Sequence, residues 1–141
     1  MDSKKFMLGG LLGSVVNFFL GWLVWGMLLM GFMQKHSNPS ASVIFRSDEK
    51  MVWWAMIAGN LAAGFLVCYI LTKANIKTAA AGAFTGAVVG MLSALGVDCM
   101  MYAQVMIYGL PALVVDIAAA TVVTGIVAAV VGWFLGRGNA S

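Results

Sequence analysis

The sequence predicts an all-α membrane protein whose four transmembrane helices form an antiparallel bundle. Of its 141 residues, 62% are hydrophobic and 9% are charged, and the mean hydropathy is +0.98. A soluble domain has roughly a quarter of its residues charged, so this composition excludes a fully water-facing surface. The apolar residues form continuous runs, which favour helices over the short alternating strands of a barrel. Seventeen glycines indicate close helix packing.

The first span is expected over 6–33, a run without charge that is long enough to cross a bilayer with some tilt. Lys4 and Lys5 in front of it resemble the start of a signal peptide. The run is too long for the apolar part of such a peptide, so we expect it to be retained as an anchor. Small or polar residues recur at every fourth position and predict one packing seam on this helix: Gly9, Gly13, Asn17 and Gly21, followed by Trp25.

The one substantial loop is expected over 34–50, ahead of the second span. Its residues 42–45 are rich in β-forming side chains. Ser47, which is followed by two acidic residues, resembles a helix cap with an acidic first turn and predicts the start of the second span. Trp53 and Trp54 then fall where an interfacial aromatic belt is expected.

The other three spans are expected over 51–71, 78–103 and 110–135, joined by short connections. Pro111 falls in the first turn of the last span, where its missing N–H costs little. Each span repeats the four-residue spacing of small residues. The rows are Asn60, Gly64 and Cys68 in span two, then Gly82, Gly86, Gly90, Ala94 and Asp98 in span three, and Asp116, Ala120, Thr124, Ala128, Gly132 and Gly136 in span four.

The basic residues predict the orientation of the chain in the membrane. Five of the eight lie in the N-terminal segment, the second connection and the C-terminal segment, and three lie in the other two connections. Because cytoplasmic segments carry the excess of Lys and Arg, both termini are expected in the cytoplasm. The sequence pI of about 9.1 is therefore interpreted as topology and not as nucleic-acid binding. The first group is Lys4, Lys5, Lys73, Lys77 and Arg137, and the second is Lys35, Arg46 and Lys50.

One strongly polar residue in each span predicts a ligand-binding site formed by Asn17, Asn60, Asp98 and Asp116. The two acids lie at equal distances from the third connection, so they should lie at equal depth on facing helices. No Lys or Arg lies deep enough to neutralise them. Two such carboxyls resist ionising together, so they would share a proton or bind a cation or a small cationic solute.

Three other interpretations of these residues remain open. A protonated aspartate could hydrogen-bond to Asn60 or Thr124 and serve only to fix the bundle, in a structural or accessory protein without a substrate. Catalysis by the two acids would need a path for water and substrate, so no enzyme activity is predicted. Soft sulfur with His36 could bind monovalent copper, although methionine commonly fills gaps in cores. The methionines concerned are Met27, Met30, Met33, Met51, Met56, Met100, Met101 and Met106, with Cys99 nearby.

The sequence resembles a family of small uncharacterised four-span bacterial inner-membrane proteins described as domains of unknown function. The resemblance rests on NFFLGWLVWGMLLM in span one, MVWW and GNLAAGFLVCYI in span two, GAFTGAVVGMLSALGVDCMMY in span three and LVVDIAAA in span four. It implies a four-helix fold in a bacterial inner membrane and implies no activity. Since such thin bundles have surplus glycine faces, we also expect a homo-oligomer in the lipid bilayer. No cofactor is predicted.

Overall fold

The computed structural model describes residues 2–137 and confirms the all-α membrane fold. Four of its helical segments are long and apolar enough to cross a membrane, namely Ser3–Leu28, Trp53–Lys73, Ala79–Gln104 and Leu110–Gly136. The elements in chain order are α1 (Ser3–Leu23), a π-helical segment (Val24–Leu28), α2 (Met30–Lys35), α3 (Ala41–Ile44), a 3₁₀ turn (Asp48–Lys50), α4 (Trp53–Lys73), α5 (Ala79–Gln104) and α6 (Leu110–Gly136). We call the end of the bundle with residues 29–52 and 105–109 the loop end. The opposite end is the turn end.

The first span is not one uniform helix. α1 gives way to the π-helical segment Val24–Leu28, in which Leu29 N–H donates to the carbonyl of Val24 at 2.8 Å. A π-helical turn holds one more residue than an α-helical turn, so it rotates the residues that follow it. Trp25 lies within this irregular part of the span.

The loop between α1 and α4 differs from its two sequence predictions. Residues 42–44 are helical, because α3 occupies Ala41–Ile44, and only Phe45 is extended. The prediction that Ser47 caps the second span is also wrong. Lys50 N–H donates to the Ser47 carbonyl at 2.9 Å, which closes a separate 3₁₀ turn, and Val52 is the residue that precedes α4.

Asn75 ends α4 and turns the chain into α5. Its φ of 55° lies in the left-handed region, and Ile76 N–H donates to the Leu71 carbonyl at 2.8 Å. This is a Schellman cap, in which asparagine takes the position that glycine usually occupies. Ile76 packs against the core, so the cap also anchors the turn.

The rows of small residues bring α5 and α6 together along their length. A Cβ added at Gly82 would meet the carbonyl of Ala128, and one added at Gly90 would lie 2.7 Å from the Ala120 carbonyl. Near the turn end, a Cβ on Gly132 would lie 2.6 Å from the Thr78 carbonyl. The two predicted rows therefore face each other in antiparallel register, with little room for any side chain larger than hydrogen on the glycines.

A second pair of rows joins α1 to α4 in the same way. A Cβ on Gly64 would meet the backbone of Ser14, and one on Gly9 would lie 2.9 Å from the Cys68 sulfur. α6 lies at the centre of the bundle and contributes most of the core, whereas α5 packs almost wholly on α6 and barely contacts α4. The buried core cluster is Val67, Cys68, Leu71, Val123, Val127, Ala128, Val131 and Leu135.

Candidate functional site

The register between α5 and α6 brings Asp98 and Asp116 together. Because Gly90 faces Ala120, the next positions along the two antiparallel rows place Asp98 against the first turns of α6. The two carboxyl groups are close enough to interact directly. Each lies six residues from the loop end of its helix, which corresponds to a depth of about 9 Å.

A cavity of about 290 Å³ opens from these two carboxyls towards the loop end, and we call it the acid cavity. Its other walls are mainly apolar and aromatic. The remaining lining residues are Met33, Val97, Met101, Tyr102, Val105, Ile107, Tyr108, Ala112 and Leu113. Among the described residues that line it there is no lysine, arginine or histidine.

Trp25 supplies a hydrogen bond to the acid pair from a third helix. Its indole Nε1–H donates to Asp116 Oδ1 at 2.6 Å. Trp25 lies in the π-helical segment, and such segments occur frequently at functional sites. A signal for this residue was present in the sequence, because Trp25 continues the four-residue row that begins at Gly9.

Asp98 has a carboxyl oxygen that no donor satisfies. Within residues 2–137, its Oδ2 is shielded from solvent and has no hydrogen-bond partner. An ionised carboxylate can only accept hydrogen bonds, and the neighbouring Asp116 carboxylate offers no donor either. A buried acceptor without a partner costs about 1–3 kcal/mol, more if charged, so a proton or a positively charged group at this atom would be stabilising.

Tyr108 lies at the mouth of the acid cavity and responds to both acids. Burial raises the pKa of its phenol, and the nearby Asp116 and Asp98 carboxyls raise it further. The negative potential of the acid pair therefore extends to the connection between α5 and α6. Sequence reasoning missed Tyr108, although an aromatic residue in a connection without charge was an available signal.

The connection that carries Tyr108 is held by the loop that follows α2. Asn38 N–H donates to the Ile107 carbonyl at 2.8 Å, and Gly109 N–H donates to the His36 carbonyl at 2.8 Å. An isolated antiparallel bridge joins Ser37 to Tyr108. These backbone bonds fix the position of the mouth relative to Met33, which lines the cavity from α2.

The two asparagines pair with each other and are not among the residues that line the acid cavity. Asn17 Nδ2–H donates to Asn60 Oδ1 at 2.8 Å, which links α1 to α4. Asn60 Nδ2–H donates to the Met56 carbonyl at 2.9 Å. The four predicted polar residues thus form two separate pairs, one of amides and one of carboxyls.

The side chains around the acid cavity that offer an oxygen or sulfur atom as a metal ligand are two carboxyls, two phenols and two thioethers. Met33 and Met101 line it, and the other predicted sulfur residues do not. The His36 ring stacks on Phe32 with 4.2 Å between centroids, and its Nδ1 lies 2.9 Å from the Phe32 carbonyl. Residues 2–137 contain no group of three or more His, Cys, Asp or Glu that could hold a metal ion.

In comparisons with known proteins, no family model, curated protein or solved structure matches this chain.

Proposed function

We propose that the acid cavity binds a small organic cation in competition with a proton. The observation that supports this most directly is Asp98 Oδ2, a buried acceptor without a donor that lies beside a second carboxyl. Two neighbouring carboxylates in surroundings of low dielectric constant cannot both remain ionised without a positive charge near them. A proton or a cation supplies that charge.

The hydrogen bond from Trp25 makes the two acids unequal. The indole N–H stabilises negative charge on Asp116, because a donor strengthens its bond when the acceptor is ionised. Asp98 then holds the exchangeable proton, which it donates to Asp116. When a cation enters, this proton leaves and the cation takes its place between the carboxylates.

The size and lining of the cavity favour an organic cation over a hydrated divalent ion. A volume of about 290 Å³ is at the small end of ligand pockets. The Tyr102 and Tyr108 rings in the wall suit a quaternary or protonated amine, which aromatic faces attract. Calcium prefers six to eight oxygen ligands, and magnesium usually retains several waters.

The cavity opens towards the loop end and the small-residue contact of α5 with α6 closes it on the other side. With both termini in the cytoplasm of a bacterium, the orientation favoured by the lysine and arginine count, the mouth would face outward from the inner membrane. Passage across the membrane would then need α5 to move away from α6 at Gly90 and Gly86.

A structural role without substrate is the second candidate, and the bond from Trp25 to Asp116 favours it. This bond crosses from the first span to the last and would stabilise the bundle whether or not a ligand binds. The two candidates differ in what a cation should do to the protein.

Calorimetric titration of the purified protein with benzyltrimethylammonium, whose charge is permanent, separates the two candidates. We expect binding that strengthens as pH rises, because the proton on Asp98 is removed more easily, with a proton released per cation bound. Neutral benzyl alcohol should bind at least tenfold more weakly. Asp98→Asn with Asp116→Asn should abolish both the pH dependence and the cation preference.

Asp48→Asn is the matched control, since it removes an acid from the 3₁₀ turn outside the acid cavity and should leave binding unchanged. Equal affinity of the wild type and the double asparagine variant for the cation would refute the proposed function and support the structural role. Equal affinity for the cation and the neutral alcohol would do the same.

A further inference from the structure

A second cavity, of about 760 Å³, lies at the turn end of the bundle, and we call it the lysine cavity. It lies where the start of α1, the turn between α4 and α5, and the end of α6 meet. The proposed function uses none of its residues. Four of the eight basic residues of the chain line it, namely Lys4, Lys5, Lys73 and Lys77.

The charge of the lysine cavity is strongly positive. Among the residues that the structure describes, Asp2 is the one acid that lines it. The Asp2 carboxylate caps α1, since it accepts from the backbone N–H of Lys4 at 3.1 Å and of Lys5 at 3.4 Å. Its charge is therefore directed at the helix terminus, and the four ammonium groups outnumber it. Such a cluster attracts an anion from solution or from the membrane surface.

The floor of the lysine cavity is apolar. Leu71 and Leu135 line it, and both belong to the buried core, with 1% and 7% of their surfaces exposed. Phe6 and Ile76 also line it and pack against the same core. A soluble anion such as inorganic phosphate has no apolar part that could contact this floor. An amphipathic anion would place its charge at the lysines and its apolar part against these side chains.

The position of the lysine cavity in the bundle supports the same conclusion. It lies at the ends of four segments that are long and apolar enough to cross a membrane, at the depth where lipid headgroups lie. Lys73 is held here by its contact with the Tyr69 ring, with Nζ 5.7 Å from the ring centroid. Basic pockets between transmembrane helices bind the phosphate headgroups of anionic lipids.

We propose that the lysine cavity binds the phosphate headgroup of an anionic phospholipid, with the first part of an acyl chain against the half-buried side chains of Phe6 and Ile76. Each lysine near an anionic membrane surface strengthens attraction by about fivefold in the binding constant. Removing all four charges should therefore weaken binding of the lipid by at least tenfold.

Native mass spectrometry of the full chain in detergent, with added phosphatidylglycerol or phosphatidylcholine, tests this proposal. We expect retention of phosphatidylglycerol and at least tenfold weaker retention of phosphatidylcholine. The variant with glutamine at positions 4, 5, 73 and 77 should lose this preference. The matched control replaces Lys35, Arg46 and Lys50 with glutamine at the loop end and should keep it.

Three outcomes would overturn the proposal. These are equal retention of both lipids by the wild type, an unchanged preference in the variant with four substitutions, and an equal loss in the control at the loop end. Inorganic phosphate that displaces the lipid completely at millimolar concentration would also overturn it, because the site would then select a free anion. If the fourfold variant does not fold, the double variant Lys73→Gln with Lys77→Gln is expected to weaken retention by about 25-fold.

Discussion

Replacing Gly86 with alanine tests the close contact between α5 and α6 on which the geometry of the acid cavity depends. The added Cβ would lie 2.5 Å from the Thr124 carbonyl oxygen and 3.2 Å from Gly125 Cα, and it would also meet Ala128 Cβ. An ordinary contact begins near 3.4 Å, so the helices must separate by roughly 1 Å at this point. The oxygen belongs to the backbone and cannot rotate away.

The cost of this separation exceeds the gain in helix propensity. A gap of 0.5–1 Å forfeits about a quarter to a half of the dispersion energy of each contact along the row. Overpacking typically costs about 1–3 kcal/mol, and a clash with backbone atoms belongs to the upper half of this range; alanine recovers about 1 kcal/mol of it as a better helix former. We therefore expect Gly86→Ala to lower the free energy of unfolding by about 1–2 kcal/mol.

Gly96→Ala is the matched control in the same helix, because a Cβ at this position meets nothing within 4 Å. It should leave stability unchanged or raise it by up to about 1 kcal/mol. Unfolding in mixed micelles, followed by circular dichroism, measures both variants. Equal stability of Gly86→Ala and Gly96→Ala would refute the packing of these two rows against each other.

Three further substitutions test single contacts. Trp25→Phe should lower the stability by about 1 kcal/mol, because the hydrogen bond to Asp116 is lost. The control Trp22→Phe changes a side chain that is 60% exposed and should have little effect. Equal losses of stability in thermal unfolding would argue against the bond. Asn75→Ala should cost about 1 kcal/mol at a φ of 55°, whereas Asn75→Gly should not, and the opposite order would contradict the cap. The pKa of Tyr108 is raised in the folded protein, so the free energy of unfolding should not depend on this group below about pH 10. It should decrease as pH rises from about 10 through the pKa of Tyr108 in the folded protein. Absorbance titration of tyrosinate measures this pKa, and the signal of Tyr108 is identified by its loss in Tyr108→Phe. In Asp116→Asn the titration midpoint of Tyr108 should move back towards 10, and an unchanged midpoint would contradict the influence of the acids.

The sequence was sufficient to predict the helices and the pairing of the two acids. The four-residue rows identify the face of each helix that accepts another backbone, and equal spacing from a short connection determines depth. Both follow from helix geometry alone, which is why Asp98 and Asp116 could be paired in advance. The same reasoning indicates where Gly64 and Gly9 contact their neighbours.

What the sequence could not predict is which rows face each other and where a helix departs from regular geometry. The four-residue spacing places both Asn17 and Asp98 on a packing face, but it does not say which helix each face contacts. In the structure Asn17 packs on α4 and Asp98 on α6. The π-helical segment inserts an extra residue, so the residues after it face a different direction from that in a continuous helix. Val52, between the acidic turn and α4, is not helical, and Lys50 closes a separate turn ahead of it.

The amide pair and the carboxyl pair each join two helices, but they differ in hydrogen-bonding capacity. This difference predicts the effect of replacing the two acids with asparagine. Asn17 and Asn60 each carry a donor and an acceptor, so one amide satisfies the other. Asp98 and Asp116, when ionised, carry acceptors only. Replacing both with asparagine should therefore allow the bond that the carboxylates cannot form, while Trp25 keeps its acceptor at position 116.

We expect this double asparagine variant to be more stable than the wild type by about 1 kcal/mol at neutral pH, in the absence of any added cation. The difference should grow as pH rises, because only the wild type acquires a second negative charge. Such a gain in stability with a loss of cation binding is typical of a site retained for function. A double variant that is less stable than the wild type at alkaline pH would show that the two carboxyls do not repel each other, and the need for a proton or cation between them would disappear.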